Sequence, residues 1–113
     1  MKIIESQINL EELNEMARNK FGNMVKAVVD IEKKIMAVDG DLHADEEALL
    51  LNNGSNNKNL WGINLYPELN NEDWIEFDSM INLRPAHNNR TRGVDDQAIQ
   101  QQIVVVVDKL VKR

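Results

Sequence analysis

Two stretches of the chain repeat apolar residues at helical spacing. The first follows Asn9, which can cap a helix, with Glu12 placed three residues later as in a capping box. The second follows the capping residue Asp95 and includes the β-branched run 104–107, which prefers strands, although its length favours a helix. The stripes are Leu10, Leu13, Met16, Ala17 and Phe21 in the first helix, and Ile99, Ile103, Val106, Val107 and Leu110 in the second.

Other stretches alternate apolar and polar residues, as half-buried strands do. The alternation predicts strands over residues 24–31, 35–38, 60–66 and 75–83, after a first strand at residues 2–6. Residues 45–47 are acidic and favour the first turn of a short helix. The apolar run 48–51 that follows is equally consistent with that helix and with a buried strand.

The order of these elements, β-α-β-β-α-β-β-α, predicts an α+β fold. We expect one domain over residues 1–113, with a mostly antiparallel sheet of about five strands and two to three helices packed on one face. A chain of this length can bury about two-thirds of the surface that it exposes when unfolded. That is enough for a core without disulfides or metals.

The amino-acid composition of the chain excludes several kinds of functional site. The chain has no cysteine, which excludes disulfides, zinc–thiolate sites and cysteine nucleophiles. Its formal net charge is −6, which disfavours general binding to nucleic acid. The longest apolar run, residues 103–107, is too short to span a bilayer, and no signal-peptide pattern is present. We therefore expect a cytoplasmic protein without a membrane partner.

Familiar catalytic and nucleotide-binding motifs do not occur in the sequence. It contains no phosphate-binding loop, no dinucleotide-binding glycine pattern, no serine nucleophile elbow and no zinc-binding H-E-x-x-H. We therefore predict no cofactor and favour a non-enzymatic binding or regulatory module. A metal-dependent hydrolase and a structural adaptor or homo-oligomeric subunit are the alternatives.

The loop after the last predicted strand concentrates positive charge in an acidic chain. Arg84, Asn89, Arg90 and Arg92 lie within nine positions, with no acidic residue among them. Guanidinium groups bind carboxylates and phosphates through paired hydrogen bonds, and asparagine adds neutral donors. The loop is therefore a candidate anion-binding site. The alternative is a solvated loop whose arginines pair with acidic residues of the same chain.

The segment 39–47 carries the opposite charge. Asp41, His43 and Glu47 offer the carboxylate and imidazole ligands that divalent metals take, and the last two share a face if the segment is helical. The alternative is a turn followed by the acidic start of a helix. Because segments 39–47 and 84–92 have opposite charge, we expect them to pair, within one subunit or between two.

These charges also indicate the kind of partner. The sequence favours a small anionic ligand or a second copy of the chain in a homodimer. Trp74 follows Asp73, and we expect its ring to be partly exposed, as at a protein interface.

Three stretches of the sequence resemble a known family. They are Leu-His-Ala-Asp-Glu-Glu at 42–47, Leu-Trp-Gly-Ile-Asn-Leu-Tyr-Pro at 60–67, and Ile-Asn-Leu-Arg-Pro at 81–85 followed by Asn89 and Arg90. Together they resemble a family of small prokaryotic single-domain proteins of unknown function, over nearly the whole chain. The resemblance implies a free-standing one-domain protein and supplies no activity and no catalytic residues.

Overall fold

The computed structural model describes residues 1–113, apart from the side chain of Asn71. Its strands and α-helices are, in chain order, β1 (Lys2–Ile4), β2 (Ile8–Asn9), α1 (Leu10–Asn19), β3 (Val25–Asp30), β4 (Ile35–Val38), α2 (His43–Asn52), β5 (Leu60–Leu65), β6 (Ile75–Glu76), α3 (Gln97–Leu110) and β7 (Val111–Lys112). No helix in this described part is long and apolar enough to cross a membrane.

The predicted α+β fold is confirmed. The described residues form a five-stranded antiparallel sheet, in the order β1-β4-β3-β5-β6, and three α-helices. β3 lies at the centre, where Val28 stands opposite Ala37 of β4 on one side and Gly62 of β5 on the other. The short strands β2 and β7, which the pattern does not predict, pair in parallel and join residues near the two ends of the chain.

The helices do not all pack on one face of the sheet, and this part of the prediction is wrong. α1 and α3 cover one face, where the larger hydrophobic cluster lies. α2 covers the opposite face, where its Leu50 packs with Val28, Ala37 and Leu60. The central strands place apolar residues on both faces, so the second face also needs a layer that excludes water.

The two segments with an ambiguous pattern are both helical. Residues 48–51 belong to α2, and residues 103–107 belong to α3. The cap of α3 is Asp96 rather than Asp95, because Asp96 Oδ1 accepts the Ala98 amide hydrogen at 2.8 Å. Packing of the apolar stripe against the sheet outweighs the strand preference of the β-branched run, since tertiary contacts supply most of the stability of a helix in a protein.

The predicted strand over residues 75–83 is wrong beyond Glu76, where β6 ends. Ser79 begins a 3-10 turn at Met80–Asn82, because its Oγ accepts the Ile81 amide hydrogen at 3.2 Å. Ser79 packs directly on Gly62 of β5, where a Cβ atom would lie 2.6 Å from its Oγ. The strand therefore ends here, because the hydrogen bond of Ser79 starts a turn and the missing side chain of Gly62 leaves space for Ser79 to pack against β5.

The predicted cap of α1 is present, since Asn9 Oδ1 accepts the Glu12 amide hydrogen at 2.8 Å. Replacing Asn9 with alanine should lower the free energy of unfolding by about 1 kcal/mol, because this amide loses its acceptor. Urea denaturation followed by circular dichroism measures the change. The control Asn9→Asp keeps an acceptor and should stay within about 0.5 kcal/mol of the wild type. An equal loss in both variants would contradict the capping role.

Candidate functional site

Arg84, one of the residues of the predicted anion site, has a largely buried side chain that bonds to the backbone of the same chain. Its side chain is 10% exposed, and its guanidinium lies over Trp61, 4.8 Å from the ring centroid. Nε donates to the Ile81 carbonyl at 3.1 Å, and Nη2 donates to the Leu60 carbonyl. Burial lowers the pKa of Arg84, against the opposing effect of the Glu47 carboxylate. Arg84 therefore attaches the loop to the start of β5 instead of facing a ligand in solvent.

Asn89 organises the same loop from its interior. The side chain is buried, and its Nδ2 donates to the carbonyls of Asn82 at 2.7 Å and Gly93 at 2.8 Å. The same nitrogen also contacts the Thr91 carbonyl at 3.1 Å. Its Oδ1 accepts the Asp95 amide hydrogen at 2.8 Å. Both amide hydrogens are thus engaged by the loop itself and are not free for an anionic ligand.

Asn82, which the sequence analysis does not single out, covers the open edge of β5. Its Oδ1 accepts the Gly62 amide hydrogen at 2.9 Å, and its Nδ2 donates to the Gly62 carbonyl at 3.0 Å. These are the two hydrogen bonds that a residue of a neighbouring antiparallel strand makes. Because β6 pairs only with Asn64 and Leu65, the side chain of Asn82 takes the place of a strand farther along this edge.

Arg90 and Arg92 are the exposed members of the predicted anion site. Arg92 Nε donates to Asp78 Oδ1 at 2.7 Å. The backbone amide of Arg90 donates to Asp95 Oδ2 at 2.8 Å, while its side chain extends to the surface. The structure therefore divides the four predicted residues, with Arg84 and Asn89 inside the loop and the other two outside. Anion binding by the exposed pair stays a prediction.

The three predicted metal ligands point in different directions. Asp41 has a side chain that is 79% exposed, and its Oδ1 lies 3.0 Å from Lys20 Nζ. His43 is buried, and its Nε2 donates to the Ile63 carbonyl at 2.8 Å, which leaves the ring turned into the fold. Burial lowers the pKa of His43 and keeps the imidazole neutral at neutral pH. Glu47 faces the arginine loop instead. Among the residues that the structure describes, no three histidine, aspartate or glutamate side chains are grouped to hold a metal ion.

The two oppositely charged segments meet through one ion pair among the described residues. Arg84 Nη2 lies 4.0 Å from Glu47 Oε2, which also accepts a hydrogen bond from Asn57 Nδ2 at 3.0 Å. On the other side of the acidic segment, Lys20 Nζ donates to the Asp39 carbonyl at 2.8 Å and forms ion pairs with the carboxylates of Asp39 and Asp41. Within one subunit the expected pairing is therefore limited to this contact, while Lys20 pairs with the start of the acidic segment and Arg92 pairs with Asp78.

Glu46 is a buried acid, although the sequence predicts it within an acidic helix start and the charged segment 39–47. It has no exposed surface, and its Oε2 accepts the Gly40 amide hydrogen at 2.9 Å. Its Oε1 has no hydrogen-bond partner within the described structure. Burial raises the pKa of Glu46 to about 9, so the carboxyl group is protonated at neutral pH. Gly40 is required beside it, since a Cβ atom there would lie 2.6 Å from Glu46 Cγ.

A wide cleft of about 1030 Å³ lies between β6 and α3, and we call it the β6–α3 cleft. Aromatic and aliphatic side chains, three carboxylates, two amides and one arginine share its lining, which consists of Glu72, Asp73, Trp74, Ile75, Phe77, Gln100, Gln101, Val104, Asp108 and Arg113. The guanidinium of Arg113 lies 4.3 Å from the centroid of the Trp74 ring. The aromatic face at this cleft therefore already carries a cationic group of the chain itself, within an acidic surround.

Trp74 is the one residue of this cleft that the sequence suggests as part of a binding surface. We expect Trp74 to be partly exposed, but the residue is 4% exposed, because Arg113 and the sheet cover most of its ring. The interface role that the sequence suggests for Trp74 stays a prediction. The two walls, residues 72–77 and 100–113, are far apart in sequence, and only the docking of α3 on the sheet brings them together.

Comparison with known proteins supports the resemblance seen in the sequence. The family described as "Protein of unknown function (DUF5674)" matches residues 2–110. No curated protein and no solved structure matches the chain. The stretches that carry the resemblance meet around β5, where Asn82 bonds to Gly62 and Arg84 contacts both Glu47 and the Leu60 carbonyl. The chain therefore belongs to the DUF5674 family, whose function is unknown.

Proposed function

We propose that the protein is a non-enzymatic binding module, and that the β6–α3 cleft takes an extended, basic segment of a partner protein. The observation that carries the proposal is the position of the cleft, between an edge strand of the sheet and a helix. Peptides that add a strand to a sheet edge use main-chain hydrogen bonds for affinity and side-chain pockets for specificity. The volume of about 1030 Å³ leaves space for several residues of such a segment.

The backbone of β6 supports strand addition. In this antiparallel ladder Asn64 stands opposite Glu76, and the Tyr66 amide donates to the Trp74 carbonyl at 2.8 Å. Because bonded and non-bonded pairs alternate in an antiparallel ladder, the N–H and C=O of Ile75 point away from β5. Ile75 also lines the cleft, so an incoming strand would find a donor and an acceptor at that residue.

The side chains of the cleft support a basic occupant. Its acidic groups, Glu72, Asp73 and Asp108, outnumber its one arginine. The chain's own Arg113 already places a guanidinium on the Trp74 ring, which indicates the chemistry that this part of the cleft accepts. Opposite charge across an interface speeds association and selects partners. A segment that alternates arginine with an aliphatic residue would place its charges on the rim and its apolar side chains against the half-buried Phe77 and Val104.

Replacing Asp108 with lysine should weaken binding of such a segment roughly tenfold, because the change reverses a rim charge. The probe is a short capped peptide of alternating arginine and valine, titrated by heteronuclear NMR while the amide signals of Ile75 and Val104 are followed. The control variant Glu15→Lys makes the same charge change on α1, at an exposed residue outside the cleft, and should bind like the wild type.

Two results with the peptides would overturn the proposal. One is the absence of any shift at Ile75 and Val104 with millimolar peptide. The other is equal binding of a matched peptide in which glutamate replaces arginine. Equal weakening by Asp108→Lys and Glu15→Lys would mean that binding depends on the net charge of the protein. That result would also contradict specific binding in the cleft.

A further inference from the structure

Arg113 covers the aromatic end of the β6–α3 cleft. The residue follows β7, and the parallel pairing of β7 with β2 fixes the backbone that precedes it. The guanidinium carbon of Arg113 lies 4.3 Å from the centroid of the Trp74 ring. Both residues belong to the lining of the cleft, and Trp74 is buried. The chain itself therefore occupies an aromatic face of its own cleft.

The contact that keeps Arg113 on the ring is weak. Arg113 is exposed, and a cation–π contact at an exposed site corresponds to roughly a two- to fivefold preference in an equilibrium constant. Three acidic residues line the same cleft, yet no carboxylate among the described side chains forms an ion pair with Arg113. With this contact alone, the guanidinium leaves the ring in an appreciable fraction of the molecules.

A guanidinium that belongs to a bound segment gains contacts that Arg113 does not make. The carboxylates of Glu72, Asp73 and Asp108 are exposed, so an incoming arginine can pair with them. The same segment also bonds to the outward N–H and C=O of Ile75. The backbone that leads to Arg113 is paired with β2 instead and does not reach this strand edge. An arginine of a bound segment is therefore able to replace Arg113 on the ring.

The chemistry of the ring favours arginine over lysine in the incoming segment. A guanidinium is planar and weakly hydrated, so it stacks on an aromatic face with less loss of hydration than a compact ammonium group. Tryptophan is also the most favourable aromatic side chain for a cation. The side chain that already lies on Trp74 is an arginine, although Lys112 precedes it in the chain.

We propose that the Trp74 ring is an arginine-binding subsite of the β6–α3 cleft, and that Arg113 occupies it until an arginine of the partner segment takes its place. This inference rests on the proposed function, because it concerns the segment that the cleft binds. Arg113 then acts as an internal competitor. It weakens the apparent affinity in proportion to the fraction of molecules in which it covers the ring.

Removing the competitor should strengthen binding. Arg113→Ala should bind the arginine–valine peptide about threefold more tightly than the wild type, because the ring is always open. The amide signals of Ile75 and Val104 measure the affinity by NMR, as for the wild type. The control Lys112→Ala removes the same charge from a neighbouring exposed residue that does not line the cleft, and it should bind like the wild type.

The signals of Arg113 report its displacement directly. In the free protein the ring current of Trp74 should shift the side-chain methylene protons of Arg113 upfield. Saturation with the arginine–valine peptide should return these signals to the positions of an arginine in solvent. A matched peptide with lysine in place of arginine should bind at least about twofold more weakly, because its ammonium group stacks less favourably on the ring.

The outcomes separate this inference from the proposed function. If the peptide shifts Ile75 and Val104 but Arg113→Ala binds no more tightly than the wild type, the cleft stands and the competition is wrong. Arg113 signals that stay shifted upfield at saturation, or an equal gain in Arg113→Ala and Lys112→Ala, would also overturn the inference. If the peptide shifts neither Ile75 nor Val104 in the wild type and in Arg113→Ala, the proposed function fails and this inference fails with it.

Discussion

Replacing Asn89 with alanine should destabilise the protein by about 3 kcal/mol, because the buried side chain makes a set of hydrogen bonds worth about 1 kcal/mol each. Its Nδ2 reaches the carbonyls of Asn82 and Gly93, and its Oδ1 accepts the Asp95 amide hydrogen. Without the amide these buried groups lose their partners, and the whole loop loses its internal support. Urea denaturation at pH 7 measures the loss.

The neighbouring residue provides the control for this experiment. Arg90 has an exposed side chain, so Arg90→Ala should change the free energy of unfolding by less than about 0.5 kcal/mol. If both residues served mainly to bind an anion, both variants would keep their stability and lose the ligand. A loss of less than about 1 kcal/mol for Asn89→Ala would contradict the structural role assigned to it.

The sequence predicts the fold because its local signals agree with its packing. The Asn9 cap, the two apolar stripes and the alternation in β3 and β5 all act over a few residues and survive in the structure, except that Phe21 lies beyond the end of α1 and is exposed. The placement of α2 is harder to predict. Alternation describes one strand at a time, and it does not report that Val28 and Ala37 together make a second apolar face.

The functional interpretation of the arginine loop depends on contacts that the sequence does not contain. Arg84 and Asn89 have the donors that an anion site needs, and a backbone carbonyl is an equally good acceptor for them. Arg84 meets a carbonyl at the start of β5, on the edge that β6 leaves open after two residues. Asn89 meets carbonyls of its own loop instead. Residue type therefore predicts the bonding capacity of this loop, whereas the topology of the sheet decides how it is used.

The same limit applies to the acidic segment. Asp45 and Glu46 are adjacent and of similar chemistry, yet the first is exposed and the second has no exposed surface. Helical spacing could have placed His43, Glu46 and Leu50 on one face, but an acid on a buried face is too rare to predict without its surroundings. The glycine at 40 is the one local feature that makes room for it.

Replacing Glu46 with glutamine should remove a large pH dependence of stability. In the folded protein burial raises the pKa of Glu46 to about 9, from an ordinary value of 4.5 in the unfolded chain. Below pH 4.5 the group is protonated in both states and carries no penalty. Between these values only the unfolded chain releases the proton, so the free energy of unfolding falls by up to about 1.4 kcal/mol per pH unit. At pH 7 the accumulated loss is about 3 kcal/mol, and it continues until the folded group also ionises.

Urea denaturation of the wild type and Glu46→Gln at intervals from pH 4 to pH 9 measures this difference. Glutamine keeps a carbonyl oxygen for the Gly40 amide and does not titrate, so the two curves should diverge as the pH rises, with the wild type falling below the variant. Lys20 and Lys26 lower the folded pKa of Glu46 and Asp39 raises it, so these charges help to set the pH at which the divergence ends. The control Asp45→Asn removes an exposed carboxylate from the same helix and should follow the wild type. Parallel curves for the wild type and Glu46→Gln would mean that Glu46 is ionised in the folded protein, because only a proton held by the native state makes the difference depend on pH.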